Sequence, residues 1–313
     1  MIVFLVRRLG FFAVSVLATS GLIFVLVRMI GGSPASVLLG EFSTPEDVYA
    51  LEEQLGLHRP MIVQYLSWLG QLLRGDFGIS FYSGIQLSTL LKSALPVSIS
   101  LSIGALTVGL TIGIPFGIIS ALRSFQGKGS LIDFVSQVGI AIPIFWSGAL
   151  LSLFFGVSLG WFPTGGWVPW SDAPVTTFRH LVLPSVTLGI GIGSVLARFI
   201  RTAIVEVMRQ DYIRTGRAFG MSVQKSLFVV GLRNAALPVV TVLGNIVSHL
   251  VGGTVLTETL FSMPGLSRMI LGAVVGRDIF VVQNLVMILI LYVLIVNLLV
   301  DISYYLLDKR LRI

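Results

Sequence analysis

The residue types best suited to chemistry are few in this sequence and lie far apart. Its three histidines, His58, His180 and His249, fall in separate segments, cysteine is absent, and neither H-E-x-x-H nor G-x-S-x-G occurs. Without thiols there is no disulfide, thiolate metal site or cysteine nucleophile to build. The scattered histidines and acids match no recognisable metal-ligand spacing. Arg74-Gly-Asp76 invites an adhesion reading, although such triplets arise by chance, and Gly127-Lys-Gly lacks the spacing of a phosphate-binding G-x-x-x-x-G-K-[ST] loop. The expectation is a chain with no catalytic site and no cofactor or metal of its own.

What the sequence does offer is a polar stripe. Thr241, Asn245, Ser248 and Gly252 are separated by 4, 3 and 4 residues, so a helix places them on one face. Within an apolar stretch that face either borders a translocation path or makes interhelical hydrogen bonds, each contributing about 0.6–2 kcal/mol. Ion-coupled carriers need titratable groups at membrane depth. Asp133, Glu258 and Asp301 fall near the ends of apolar runs, and only His249 lies well inside one. With no acidic neighbour on its face, His249 reads as a neutral, hydrogen-bonded helix contact, a proton relay being the alternative. Were the chain a carrier, its energy would be expected to come from outside the chain.

The elements that must position these residues are membrane spans. Of 313 residues, 55% are hydrophobic and 11% charged, and the mean hydropathy is +0.96. An ordinary soluble domain has about 25% charged residues. Six apolar runs qualify as spans: 9–27, 96–122, 131–159, 181–197 with a polar extension, 238–256, and 279–299 with an extension to Leu307. The first follows Arg7 and Arg8 but is too long for a signal-peptide core and precedes Arg28 directly, so it reads as an uncleaved span. Six crossings put both termini on one side. Fourteen basic and five acidic residues then share the face of the termini, and seven basic and nine acidic the other. By the positive-inside rule the basic face is cytoplasmic, and the pI near 10.0 needs no nucleic acid to explain it.

Small residues and prolines punctuate the spans. Gly109, Gly113 and Gly117 form overlapping G-x-x-x-G motifs, and Gly148, Ser152 and Gly156 repeat the spacing. Both patterns suit tight helix packing, against this chain or a partner. Pro115 and Pro143 inside spans are expected to kink them, freeing the carbonyls of Thr111 and Gly139. Three regions follow: 1–30, the N-terminal tail and first span; 31–95, an extracytoplasmic helical cap; and 96–313, a five-helix core. In the cap, Met61, Ile62, Tyr65, Leu66, Trp68, Leu69, Leu72 and Leu73 recur at helical spacing after Pro60. That helix either lies at the outer interface, with Trp68 and Tyr65 at headgroup level, or docks a soluble partner.

The segment 203–237 of the core is a basic cytoplasmic loop. Asp211 is placed to cap a helix over 212–219, Gly220 suits a left-handed terminator, and a second helix is expected from Ser222 toward Asn234, until Pro238 opens the fifth span. Arg214 and Arg217 share one face, while Thr215, Gly216 and Ala218 are small enough for another backbone to approach. By spacing alone, a solvated basic loop and a protein-docking element are equally good accounts.

The run Asp211-Tyr-Ile-Arg-Thr-Gly-Arg-Ala-Phe-Gly220, followed by Leu232-Arg-Asn-Ala-Ala-Leu-Pro238, resembles the cytoplasmic signature of ABC-importer permeases of the dipeptide/oligopeptide/nickel branch. The resemblance extends along nearly the whole chain through Arg7-Arg8, Gly32-Ser-Pro34, Leu55-Gly-Leu, Gly75-Asp-Phe-Gly78, Trp161-Phe-Pro, Gly165-Gly-Trp167, Glu258-Thr, Pro264-Gly265, Arg277-Asp278 and Asp308-Lys-Arg-Leu-Arg312. It implies an all-α, six-helix polytopic membrane protein with the ABC type I importer permease fold, in a prokaryotic inner membrane with both termini cytoplasmic. The implied partners are a second permease, two ATPase subunits that bind ATP and Mg, and an extracytoplasmic substrate-binding protein. Asp211, Tyr212, Arg214, Thr215, Gly216, Arg217, Ala218 and Gly220 would form the helix that couples to the ATPase. Arg214-Thr-Gly216 stands where the general motif has Glu-Ala-Ala, and Phe219 where this branch often has Lys. Di- and oligopeptides, glutathione, nickel chelates and some sugars fit the branch as substrates. An ion-coupled secondary transporter or channel is the alternative.

Overall fold

The structure is a computed structural model and describes residues 2–29, 34–39, 43–81, 83–124, 137–139 and 141–307. Helix dominates because hydrocarbon offers backbone N–H and C=O groups no partner other than the segment itself. The helices are α1 (Ile2–Met29), α2 (Pro34–Leu39), α3 (Pro45–Gln54), α4 (Met61–Leu73), α5 (Leu87–Ser124) and α6 (Ile144–Leu151), which continues as a π-helical turn over Ser152–Ser158. After these come α7 (Pro174–Met208), α8 (Asp211–Ala218), α9 (Val223–Ser226), α10 (Leu232–Gly253), α11 (Val255–Leu260), α12 (Leu266–Val275) and α13 (Ile279–Leu307).

Among the described residues, five stretches are long and apolar enough to cross a bilayer: Val6–Met29, Leu87–Ser124, Pro174–Met208, Asn234–Leu260 and Ile279–Ser303. The third expected span, 131–159, differs. Residues 131–136 and 140 lie outside the described residues, and the apolar helix described there is Ile144–Ser158. Pro143 stands at its N-cap with extended backbone (φ −61°, ψ 134°), so it interrupts the span instead of kinking it. Pro184 and Pro238, by contrast, sit inside α7 and α10.

Contacts divide the chain into two units, Met1–Pro96 with Gly265–Ile295, and Val97–Pro264 with Val296–Ile313. This division follows packing, whereas the boundaries at 30 and 95 follow the membrane side assigned to each segment.

In the first unit, Tyr65, Trp68 and Leu72 of α4 pack with Ile23, Phe24 and Val27 of α1 and Met287 of α13. The Trp68 indole N–H donates to Asn284 Oδ1 at 2.8 Å, and the Tyr65 hydroxyl meets Ser20 Oγ at 2.8 Å. The aromatic rings of α4 therefore face protein, while Met61, Ile62, Leu66 and Leu73 of the same helix stay exposed. A capping box starts α3: Thr44 Oγ1 accepts from the Asp47 N–H, and Asp47 Oδ2 accepts from the Thr44 N–H. Hydrogen bonds from the Thr44 hydroxyl and backbone hold the Asp47 carboxyl below the usual carboxylate range. Asp76 accepts from the Gly78 N–H, and Gly75 and Gly78 take positive φ, so Arg74-Gly-Asp76 is part of a tight turn.

The second unit is built on a seam between α5 and α7. Gly104 lies against Ser185, Gly109 against Ile192, Gly113 against Leu196 and Gly117 against Ile200. Numbers rise together on both helices, so the two run parallel. The chain must therefore return between Ser124 and Pro174, and Ile144–Ser158 is the described apolar helix in that return. The glycine neighbour left open by the sequence is thus this same chain. Leu183 and Leu188 of α7 share a core with Leu250, whereas Ile200 and Ile204 share one with Ala235 and Val239, so α10 runs antiparallel to α7.

Candidate functional site

The span α7 takes in the first six residues of the expected loop, ending at Met208. Gln210 then turns extended (ψ 151°) and forms the N-cap of α8, with no side-chain cap hydrogen bond. Asp211 is the first helical residue and not the cap, and the helix covers Asp211–Ala218 in place of 212–219. As an acid in the first turn, it still complements the helix dipole.

One side chain anchors this helix. Ile213 is 1% exposed and packs in a core with Ala203, Met208 and Leu227. Gly231 makes room there, since a Cβ on it would lie 3.2 Å from Leu227 and 3.3 Å from Val207. The rest of α8 faces outward. Asp211, Tyr212, Arg214, Thr215, Arg217 and Ala218 are exposed, as is Gly220 beyond the helix, and Gly216 is half-buried. Arg214 Nη1 lies 3.4 Å from Asp211 Oδ1, an exposed pair worth about 0–1 kcal/mol. Thr215 Oγ1 donates to the Asp211 carbonyl at 3.0 Å.

The terminator is the one the sequence predicts. Gly220 takes φ +86°, its N–H donates to the Arg217 carbonyl, and the Met221 N–H donates to the Gly216 carbonyl. This is a Schellman closure, which needs a left-handed residue at that position. The space beside Gly216 is filled from within the segment, by Met221 Sδ at 3.4 Å from where a Cβ would stand. Phe219, 84% exposed, and the exposed Tyr212, Phe228 and Val229 add apolar surface to the basic helix.

The second helix begins as expected, with Ser222 Oγ capping the Lys225 N–H at 3.2 Å. It does not stop before Pro238. A π-helical turn over Leu227–Gly231 leads directly into α10, so the expected helix over 222–234 and the fifth span form one helical run with Pro238 inside it. The wider i→i+5 turn adds a residue to the helix without ending it.

The polar stripe is split by its neighbours. A cleft of about 490 Å³ takes Val242, Asn245, Ile246, His249, Leu250 and Gly253 from α10. Leu188, Gly191, Ile192, Val195 and Phe199 of α7 line its other side. Of the four stripe residues only Asn245 lines it. Thr241 and Gly252 are exposed elsewhere, and Ser248 is buried with its hydroxyl 3.5 Å from Asn297 Oδ1. His249 joins Asn245 in the cleft, contrary to the expected role of a hydrogen-bonded helix contact. The i+4 step from Asn245 to His249 was legible, but periodicity alone gave no reason to prefer it over Asn245 to Ser248.

Glu258, expected near a span end, is fully buried on α11. Ser98 Oγ donates to its Oε1 at 2.7 Å and Thr254 Oγ1 to the same oxygen at 3.0 Å. The turn after α11 is tied to the Gly165-Gly166 loop, whose Gly166 N–H donates to the Phe261 carbonyl at 2.8 Å, and a Cβ on Gly165 would stand 2.9 Å from that oxygen. Two of the motif segments distant in sequence thus meet at one turn.

These features define a multi-pass α-helical membrane protein that carries an exposed basic helix between two of its crossings. The chain belongs to the family described as "Binding-protein-dependent transport system inner membrane component", whose profile matches residues 113–313. The N-terminal profile of the same systems matches residues 1–102. The chain is 38% identical over 312 residues to the probable peptide ABC transporter permease protein y4tP of Sinorhizobium fredii, covering 99% of each. It is 37% identical to the di/tripeptide transport system permease protein DppB of Pseudomonas aeruginosa, over 100% of this chain and 99% of that one. With the oligopeptide transport system permease protein AppB of Bacillus subtilis it shares 36% identity over 100% of both. The fold is accordingly that of the ABC type I permeases, and the protein is a multi-pass component of the inner membrane.

Proposed function

We propose that this chain is the permease subunit of an ATP-driven importer, forming half of a translocation path for di- or oligopeptides and similar solutes. The observation that carries the reading is α8, a basic helix exposed on every side but that of Ile213, in a chain aligned end to end with peptide permeases. A helix held by one apolar anchor and closed by a glycine turn can sit in a groove of another protein and pass that protein's movement to α7 and α10. ATP and Mg belong to two partner ATPase subunits, a related permease supplies the other half of the path, and a binding protein delivers solute outside. Closure of the ATPases would push the paired coupling helices and favour the outward-open state, and hydrolysis would restore the inward-open one.

Both termini are assigned to the cytoplasm and six crossings to the chain. The parallel run of α5 and α7, which requires a return between them, supports the even count. Asn245 and His249 mark the path-facing side of α10. The rival, an ion-coupled carrier, would rest on His249 as the titratable group of that cleft. Reconstitution separates the two. Peptide uptake into vesicles should need ATP, the second permease, both ATPases and the binding protein, whereas uptake by this chain alone on an ion gradient would overturn the proposal. Arg217→Glu, at an exposed position, should leave insertion unchanged and reduce co-purification of the ATPase. Undiminished co-purification would remove α8 from the contact.

A further inference from the structure

Within the first unit a cavity of about 280 Å³ lies among the C-terminal end of α1, α4, the turn at 76–79 and the start of α13. Its most constrained polar group is Arg28. The guanidinium carbon lies 5.4 Å from the Phe24 ring centre and 5.7 Å from that of Phe280. Tyr65 meets Phe24 edge-on at 5.6 Å and Phe81 meets Phe280 edge-on at 5.0 Å, so the rings that hold the guanidinium are themselves fixed. Stacking satisfies the faces of the cation but not its N–H groups. Arg28 Nε is buried and has no hydrogen-bond partner.

A second polar group on the same cavity is also unused. Gln283 is 3% exposed, and its side-chain amide makes no hydrogen bond among the described residues. Its neighbour Asn284 shows the contrast, since it accepts from Trp68 Nε1 and donates to the Phe77 carbonyl at 2.9 Å. Buried polar groups are nearly always partnered, so the orphaned Arg28 Nε and the unbonded Gln283 amide, on two residues that line one cavity, point to something that fills it. The charged groups lining it are Arg28, Arg59 and Asp76, with no ion pair joining them among the described residues. The balance is one net positive charge.

We infer that this cavity binds a single oxyanionic group, carboxylate or phosphate, which the Arg28 guanidinium grips through its free N–H edge. Arginine's planar fork matches two oxygens of such a group, and the Gln283 amide can donate to the same group or accept from its protonated or hydroxyl-bearing neighbour. The apolar walls formed by the aromatic rings strengthen the interaction by keeping water away. The oxyanion could come from an anionic lipid headgroup or from a soluble anion.

The test uses the purified full-length chain with three probes: inorganic phosphate, acetate, and phosphatidylglycerol titrated into phosphatidylcholine nanodiscs. Binding is read by Trp fluorescence and by the rise in thermal midpoint. At least one probe should saturate. Arg28→Gln should weaken it about tenfold or more, in keeping with the loss of a charged hydrogen bond. Arg28→Lys should fall between, and Gln283→Leu should weaken binding several-fold. Arg74→Gln, an exposed change outside the cavity, should leave it as it was. Saturation by phosphatidylglycerol alone assigns the site to lipid, and saturation by phosphate or acetate assigns it to a soluble anion. Absence of binding by all three probes overturns the proposal, and so does a folded Gln283→Leu chain that binds as tightly as the unaltered one, a variant that decides the matter even if Arg28→Gln fails to fold.

Discussion

The seam between α5 and α7 and the short helix α8 both depend on glycine, for opposite reasons. Along the seam, glycine is needed for what lies opposite. A Cβ on Gly113 would stand 2.7 Å from Leu196 Cβ and 2.9 Å from the Gly193 carbonyl, and one on Gly117 would stand 2.8 Å from the Ala197 carbonyl. In α8 nothing presses on the glycines. Gly220 has open space where a Cβ would go, and only its φ of +86° demands the residue. The seam is a frame whose backbones touch across two spans, where lipid supplies no hydrophobic drive and close approach must replace it. The helix α8, fixed by Ile213 and by its own terminal hydrogen bonds, is the handle of the proposed mechanism. A transport subunit driven from outside needs both, a body that moves as a piece and an exposed element to be moved by.

Mutations can break this contrast in order of size. Gly113→Ala should be the most damaging, because the opposing atoms are backbone and Cβ and cannot swing aside; overpacking of this kind costs about 1–3 kcal/mol. A lowered thermal midpoint of the purified chain would show it, and an unchanged midpoint would mean the seam is looser than described. Gly220→Val comes next, forcing a β-branched residue into the left-handed region at about 1–2 kcal/mol. Its effect should be local. Insertion should persist while ATPase activity stimulated by loaded binding protein drops in the assembled complex, and full stimulation would uncouple the Schellman closure from transmission. Gly216→Ala should be the mildest and opposite in sign. Its Cβ would meet only the flexible Met221 Sδ, so helix propensity should gain about 0.5–1 kcal/mol, seen as slower hydrogen exchange across α8. Faster exchange there would show that α8 has packing constraints like those of the seam.

Local rules made much of this legible. The Schellman glycine at 220, the Ser222 cap and the amphipathic α4 each follow from a few neighbouring residues, as did the small-residue spacing at 109, 113 and 117. Prolines were less tractable. Pro143 breaks its helix and Pro238 rides inside one, and the difference lies in what surrounds each backbone. The packing of Trp68 was illegible for a related reason, since its partner Asn284 lies 216 positions away.

Hydropathy and charge in the sequence were enough to determine a helical, multi-crossing membrane chain, because hydrocarbon permits few other backbones, and its ordered motifs carried the resemblance to a transport family. The tertiary structure alone decided that the glycines of α5 pack on α7, that Ser248 is sealed while His249 opens on a cleft, and that Glu258 is buried against Ser98, 160 residues away. Periodicity fixes the angle between residues around one helix axis but not the direction in which that axis is turned. Only neighbouring helices, brought close by contacts distant in sequence, set that direction.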